Sequence, residues 1–162
     1  MQDLITNYYI THRDELLTYI STRLGGRAEA EDMVQNVFLR LLTSTKLISE
    51  ITLPALVYIT TRHMILDFYR RRTNAYEYEH YIRQVCSKEL STDSVYSVHE
   101  IVEQLEHGLA RLPEGCREVY RLHIYKGMKV SEISEYLGDN YKSVEYRLGT
   151  ARKAIRNYLK AI

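Results

Sequence analysis

Lys142, Ser143, Glu145, Tyr146, Gly149, Thr150, Arg152, Lys153 and Arg156 share one side of "NYKSVEYRLGTARKAIRN", Asn140 to Asn157. The other side is Val144, Leu148, Ala151, Ile155 and Tyr158, whose steps of four, three, four and three mark one buried helical face. The polar set suits recognition of nucleic acid. Lys142, Ser143, Glu145 and Tyr146, with Gly149 and Thr150 one turn on, would lie where a helix presents side chains to base edges. Arg152, Lys153 and Arg156 suit phosphates. A basic helix end that simply faces water, favoured by the helix dipole, fits the same residues.

Other chemistries are poorly served. The six histidines, His12, His63, His80, His99, His107 and His123, lie in different segments. "HEIVE" at 99–103 has Glu where a zinc-protease motif needs its second His. No Gly-rich phosphate loop and no activated Ser or Cys arrangement stands out. Cys86 and Cys116 each lack a nearby second thiol, which suits a reducing cytosol and offers no metal or disulfide framework. The expectation is a protein with no catalysis of its own, no cofactor and no metal.

The elements that must position the basic helix follow from composition. The chain has 162 residues, 45% hydrophobic and 27% charged, room for one ordinary domain or two small ones. Seven Gly, two Pro and apolar residues at helical spacing predict an all-α protein. No apolar run approaches the roughly 20 residues of a membrane span, and the N-terminus lacks the pattern of a secretory signal. Most of the 15 tyrosines read as half-buried helix positions. The net charge of +1 argues for no partner, but its distribution does: residues 138–162 hold six Lys/Arg against two Asp/Glu, and residues 99–137 five against seven.

Along the chain, residues 4–23 read as a first helix facing inward through Leu4, Ile5, Tyr8, Leu16, Leu17, Ile20 and Leu24, broken by "GGR" at 25–27. A second runs from about Ala28 to Thr43, apolar at Ala30, Val34, Val37, Phe38, Leu41 and Leu42. "STKLISEIT", Ser44 to Thr52, reads as a loop, and Pro54 opens a third helix to Arg72. Residues 73–98 are polar, tyrosine-rich and weakly periodic, the composition of a linker. Helical spacing resumes at Ile101, Val102, Leu105, Leu109 and Leu112, and again at Val119, Tyr120, Leu122 and Ile124. Val130, Ile133 and Leu137 then make a short helix, Gly138 a tight turn and Asn140 an N-cap. Short helix, Gly-containing turn and basic second helix describe a helix-turn-helix.

Two upstream segments add to this. In "AEAEDMVQNVFLRLL" the apolar face leaves Glu31, Asp32, Gln35, Asn36, Leu39 and Arg40 outward, a stripe that fits a docking surface and equally an ordinary solvated face. "PALVYITTRHMILDFYRRR" ends in three arginines behind Phe68 and Tyr69. Aromatics interleaved with basic groups suit single-stranded nucleic acid, and a cationic last turn facing the helix dipole is the plain alternative.

Together these segments resemble the extracytoplasmic-function (ECF) sigma factors of bacterial RNA polymerase over nearly the whole chain. "AEDMVQNVFLRLL" is similar to that family's polymerase-binding helix, and "LVYITTRHMILDFYRRR" to its promoter-melting, −10-reading helix. "LPEGCREVYRLHIYKGMKVSEISEYLGDNYKSVEYRLGTARKAIRNYL" resembles its −35-reading domain from end to end. The resemblance implies two small helical domains, 1–74 and 99–162, joined by a flexible linker over 75–98.

It further implies a cytoplasmic initiation factor whose partners are core polymerase, promoter DNA and an anti-sigma factor. Asp32, Gln35, Asn36 and Leu39 would meet the clamp helices of the largest polymerase subunit. Arg62, His63, Tyr69, Arg70 and Arg71, with the Ser44–Thr52 loop, would open the −10 element and hold a non-template base. The residues of the 140–157 stretch would read duplex DNA at −35. Asn36 stands where the family more often has an acid, and His63 where it usually carries Asn. Gly149 and Thr150 replace larger or basic residues. The rival reading is a stand-alone helix-turn-helix regulator that never engages polymerase.

Overall fold

The structure, a computed structural model, describes residues 1–45, 47–72, 80 and 96–162. All regular structure among these residues is helical. The helices are α1 (Gln2–Leu24), α2 (Arg27–Leu42), α3 (Leu53–Arg72), α4 (Tyr96–Ala110), α5 (Glu114–Ile124), α6 (Val130–Leu137) and α7 (Tyr141–Ala161). The chain divides into two compact units, Met1–His99 and Glu100–Ile162. Most of the 75–98 segment read as a linker lies outside the described residues. No described helix is long and apolar enough to cross a membrane.

In the first unit α1, α2 and α3 pack on one another. The α1 helix stops at Gly25, whose φ of 71° is left-handed and whose N–H closes on the Ser21 carbonyl at 3.0 Å. Gly26 then caps α2 in an extended conformation. This "GG" is why two antiparallel helices follow with so little chain between them. The α2 stripe Ala30, Met33, Val34, Val37, Phe38 and Leu41 is buried, against Ile5, Leu16, Leu17, Tyr19 and Ile20 of the α1 inward face. Met33 and Tyr19 belong to the core beyond the residues expected from the sequence, whereas Leu4, Tyr8, Leu24 and Leu42 are only half-buried.

The loop before α3 is tied rather than loose at its end. Ser49 and Thr52 exchange bonds, the Ser49 N–H reaching Thr52 Oγ1 at 3.1 Å and the Thr52 N–H reaching Ser49 Oγ at 3.3 Å. Pro54 falls in the first helical turn, where its missing N–H is not needed.

The second unit is built on α7. Its buried face is Val144, Leu148, Ala151, Ile155 and Leu159. Tyr158, expected as the fifth member, is half-buried instead, with the Arg111 guanidinium 4.8 Å from its ring centroid. The true stripe ends on a step of four, so the aliphatic side chain takes the core and the phenol stays at the margin. Gly108 of α4 lets that helix come close: a methyl there would meet Ile155 and Tyr158 carbons at 2.9 Å. Leu105, Leu109, Leu112, Val119, Tyr120, Ile124 and Ile133 complete the core. Burial pushes the Tyr120 phenol up to about 12, with Arg152 pulling the other way.

Candidate nucleic-acid interface

The turn between α6 and α7 is fastened from both sides. Gly138 takes φ 68°, and the Ser134 hydroxyl donates to the Asp139 carbonyl at 2.6 Å. Arg147, two turns into α7, reaches back to the Asp139 carboxylate at 2.7 Å. Asn140 caps α7, its Oδ1 accepting from the Lys142 N–H at 2.8 Å. The angle between the two helices is therefore set by a left-handed glycine, a side-chain cap and one ion pair. Asn140→Ala should cost about 1 kcal/mol of stability, read as a lower midpoint for the second unit in thermal unfolding.

Beyond that turn the outward side of α7 carries the residues expected to read DNA. Lys142, Glu145, Tyr146, Gly149, Thr150, Lys153 and Arg156 are exposed, Tyr146 to 75%, and Ser143 is half-buried. Six Lys/Arg against one acid lie along the helix. No helix-interior position of α7 is a worse helix former than Gly149, which costs about 1 kcal/mol relative to Ala.

Arg152 is exposed and also bonds within its own unit. It lies on the flank of α7 nearest the core and donates from Nη2 to His123 Nε2 at 2.8 Å. Guanidinium can only donate, so Nε2 must accept and the His123 proton sits on Nδ1, which donates to the Met128 carbonyl at 2.8 Å. The chain Arg152–His123–Met128 clips the α5–α6 loop to α7. Part of Arg152 stays exposed, but desolvation of its packed end lowers its pKa, partly offset by Tyr120. This bond uses one of the five guanidinium N–H groups and leaves the others to Arg152, while Lys153 and Arg156 point outward without such a bond.

In the first unit, Asp32, Gln35, Asn36 and Leu39 are all exposed on one stripe of α2, opposite its buried face, with Leu39 at 56%. Between α2 and α3 runs an open groove lined by Met33, Arg40, Met64, Asp67, Phe68, Arg71 and Arg72. Arg72 is drawn toward Glu29 at 4.0 Å and lies 5.3 Å from the Phe68 ring centroid. Arg71 is exposed at the groove, and Arg70 and His63 are half-buried.

Of the residues expected at the −10 element, Arg62 is built into the fold and Tyr69 is tied to it by its hydroxyl. Arg62 is 2% exposed and is the largest fully buried side chain described. It follows Tyr58 and precedes Leu66 by one turn each, on the inward stripe of α3, so it cannot present its guanidinium to DNA. Tyr69, two turns after Arg62, is half-buried and donates its hydroxyl to the Arg23 carbonyl at the end of α1. The loop contributes what the sequence reading left unnamed: Leu47 is 94% exposed, and Ile51 is also exposed. Local sequence pattern does not mark which apolar residue of a tied loop stands clear of the core, since packing decides it. Among the described residues no three His, Cys, Asp or Glu side chains gather to hold a metal ion.

Comparison with known proteins assigns these surfaces to a family. Residues 8–75 match sigma-70 region 2, and residues 102–155 match sigma-70, region 4. The chain is 28% identical to the RNA polymerase sigma factor SigZ of Bacillus subtilis over 90% of its length and 81% of the relative's. It is 29% identical to the ECF RNA polymerase sigma factor SigL of Mycobacterium tuberculosis, over 98% of this chain and 90% of the other. A chain in a solved RsbN–BldN complex is similar at 19% identity, covering 94% of this chain and 89% of that one, with a TM-score of 0.32, too low to bear on the fold. With region 2 and region 4 together in one chain whose regular structure, among the described residues, is all helical, this protein belongs to the sigma-70 family, as an ECF sigma factor that directs transcription initiation.

Proposed function

We propose that the two units divide the work of promoter recognition, residues 1–74 engaging core polymerase and the −10 element and residues 99–162 reading −35. The carrying observation is that each unit keeps a fold-independent surface: an exposed acid, two amides and a leucine on α2, and an outward basic face on a capped α7. Neither surface is used to build its own core. Asp32, Gln35, Asn36 and Leu39 dock on the clamp helices of the largest polymerase subunit. Arg71, with Arg70 and His63, holds the melted −10 strand, and the exposed Leu47 offers an apolar surface against an unstacked base.

On α7, Lys142, Ser143, Glu145 and Tyr146 face base edges while Lys153 and Arg156 hold phosphates. Each contact alone is weak, and core polymerase, by holding both units at one separation, converts them into one strong contact. The factor works in the cytoplasm, performs no catalysis itself, and is held in check by an anti-sigma partner that covers one or both surfaces.

The test is reconstitution. Protein, core polymerase and duplex DNA carrying a promoter are mixed, and strand opening is read by permanganate reactivity alongside transcript formation. Open complex and transcript are expected from the mixture and from neither component alone. Failure to bind core enzyme sinks this reading in favour of a stand-alone regulator. In the same assay the Arg70→Ala/Arg71→Ala pair should lower opening at least about tenfold with core binding unchanged. Equal loss of both would contradict the division of labour.

A further inference from the structure

Two of the helical glycines in the second unit, Gly108 and Gly149, have very different surroundings. Gly108 has an intramolecular reason, because a methyl there would strike Ile155 and Tyr158 at 2.9 Å. Gly149 has none. It is the ninth residue of the 21-residue α7, its φ is not positive, and a methyl built on it meets nothing within 4 Å. Alanine would fit the free protein and make a better helix. Nothing among the described residues asks for glycine at this position.

Its neighbours show what does. Gly149 lies one turn after Glu145 and Tyr146 and one turn before Lys153, all exposed on the same side. The result is a notch in the outward face, bounded by a phenol at 75% exposure, a carboxylate and an ammonium group. Glycine is the residue that allows a backbone to approach another surface closely. We propose that Gly149 is the seat of closest approach between α7 and duplex DNA, where a base-pair edge on the major-groove floor enters the notch and touches the helix backbone. Tyr146 then grips one flank of that base pair while Lys153 holds the neighbouring phosphate, so Gly149 sets both the depth of α7 and the base preference beneath it. This rests on the −35 reading above and deepens it.

The experiment compares wild-type protein and Gly149→Ala, each as the full chain bound to core polymerase. Promoters are first enriched by the wild-type holoenzyme from duplexes randomised across the −35 region. Gly149→Ala should raise the unfolding midpoint of the second unit by about 4–8 °C, the shift that the Gly-to-Ala helix preference gives a unit of this size. It should leave core binding unchanged and weaken binding to the enriched element at least about tenfold, a loss concentrated at one or two base pairs when each is varied singly. A variant that is more stable and binds the element as tightly overturns the proposal, and so does a variant that is less stable. If the wild-type holoenzyme enriches no −35 sequence at all, the −35 reading itself fails, and the proposal with it.

Discussion

Leu39→Arg leaves the first unit folded and abolishes promoter-directed transcription. Leu39 is 56% exposed and its stripe, Asp32, Gln35 and Asn36, makes no part of the core, so the substitution should change stability by no more than about 0.5 kcal/mol. At a docked surface the same change acts differently. It forces a cation into an apolar contact and sets it beside whatever basic group faces Asp32. An uncompensated charge at such a contact costs about 2–5 kcal/mol, or roughly 30-fold to several thousand-fold in affinity for core polymerase. Binding measured with labelled core enzyme should show that loss, while circular dichroism and the unfolding midpoint stay at wild-type values. Retained core binding would make the α2 stripe an ordinary solvated face.

Arg62→Ala behaves in the opposite way, lowering stability before it touches recognition. The Arg62 side chain is 2% exposed between Tyr58 and Leu66, both buried. Truncation removes a large packed stem and leaves a cavity in its place. Together these cost about 3–5 kcal/mol, a large share of what holds a small domain together. Chemical denaturation of the full chain should show the first unit unfolding at much lower denaturant, with the transition of the second unit unmoved. Promoter opening then fails because the unit is unfolded, and it recovers on cooling or with stabilising osmolyte. A variant that stays as stable as wild type yet opens no promoter would return Arg62 to the DNA-contacting set.

Arg62 also shows where sequence reading meets its limit. Arginine is almost never fully buried, and the resemblance to the ECF family placed Arg62 against DNA. The spacing argued otherwise: Leu53, Val57, Tyr58, Thr61, Arg62, Ile65 and Leu66 form one inward stripe of α3. Residue type and periodicity disagreed, and in the folded unit periodicity prevailed. Arg152 carries the same lesson more gently. Its place on the flank of α7 was legible, but the acceptor that holds it, His123, comes from a helix 29 residues earlier. Such a partner is chosen by packing and leaves no trace in local pattern.

What the sequence alone determined was the order and the faces of the helices. Gly25, Pro54, Gly138 and Asn140 bound them, and the apolar stripes of α2 and α7 state which side turns inward, because helix geometry is local. The outward residues Asp32, Gln35, Asn36, Leu39, Lys142, Glu145 and Tyr146 followed by subtraction. Only the tertiary structure decided which polar side chains those packed helices would consume. Arg62 went into the core, Tyr69 to the Arg23 carbonyl, Arg147 to Asp139 and Arg152 to His123. Long side chains reach across to neighbouring elements, and that reach depends on how the elements pack, which no single helix records.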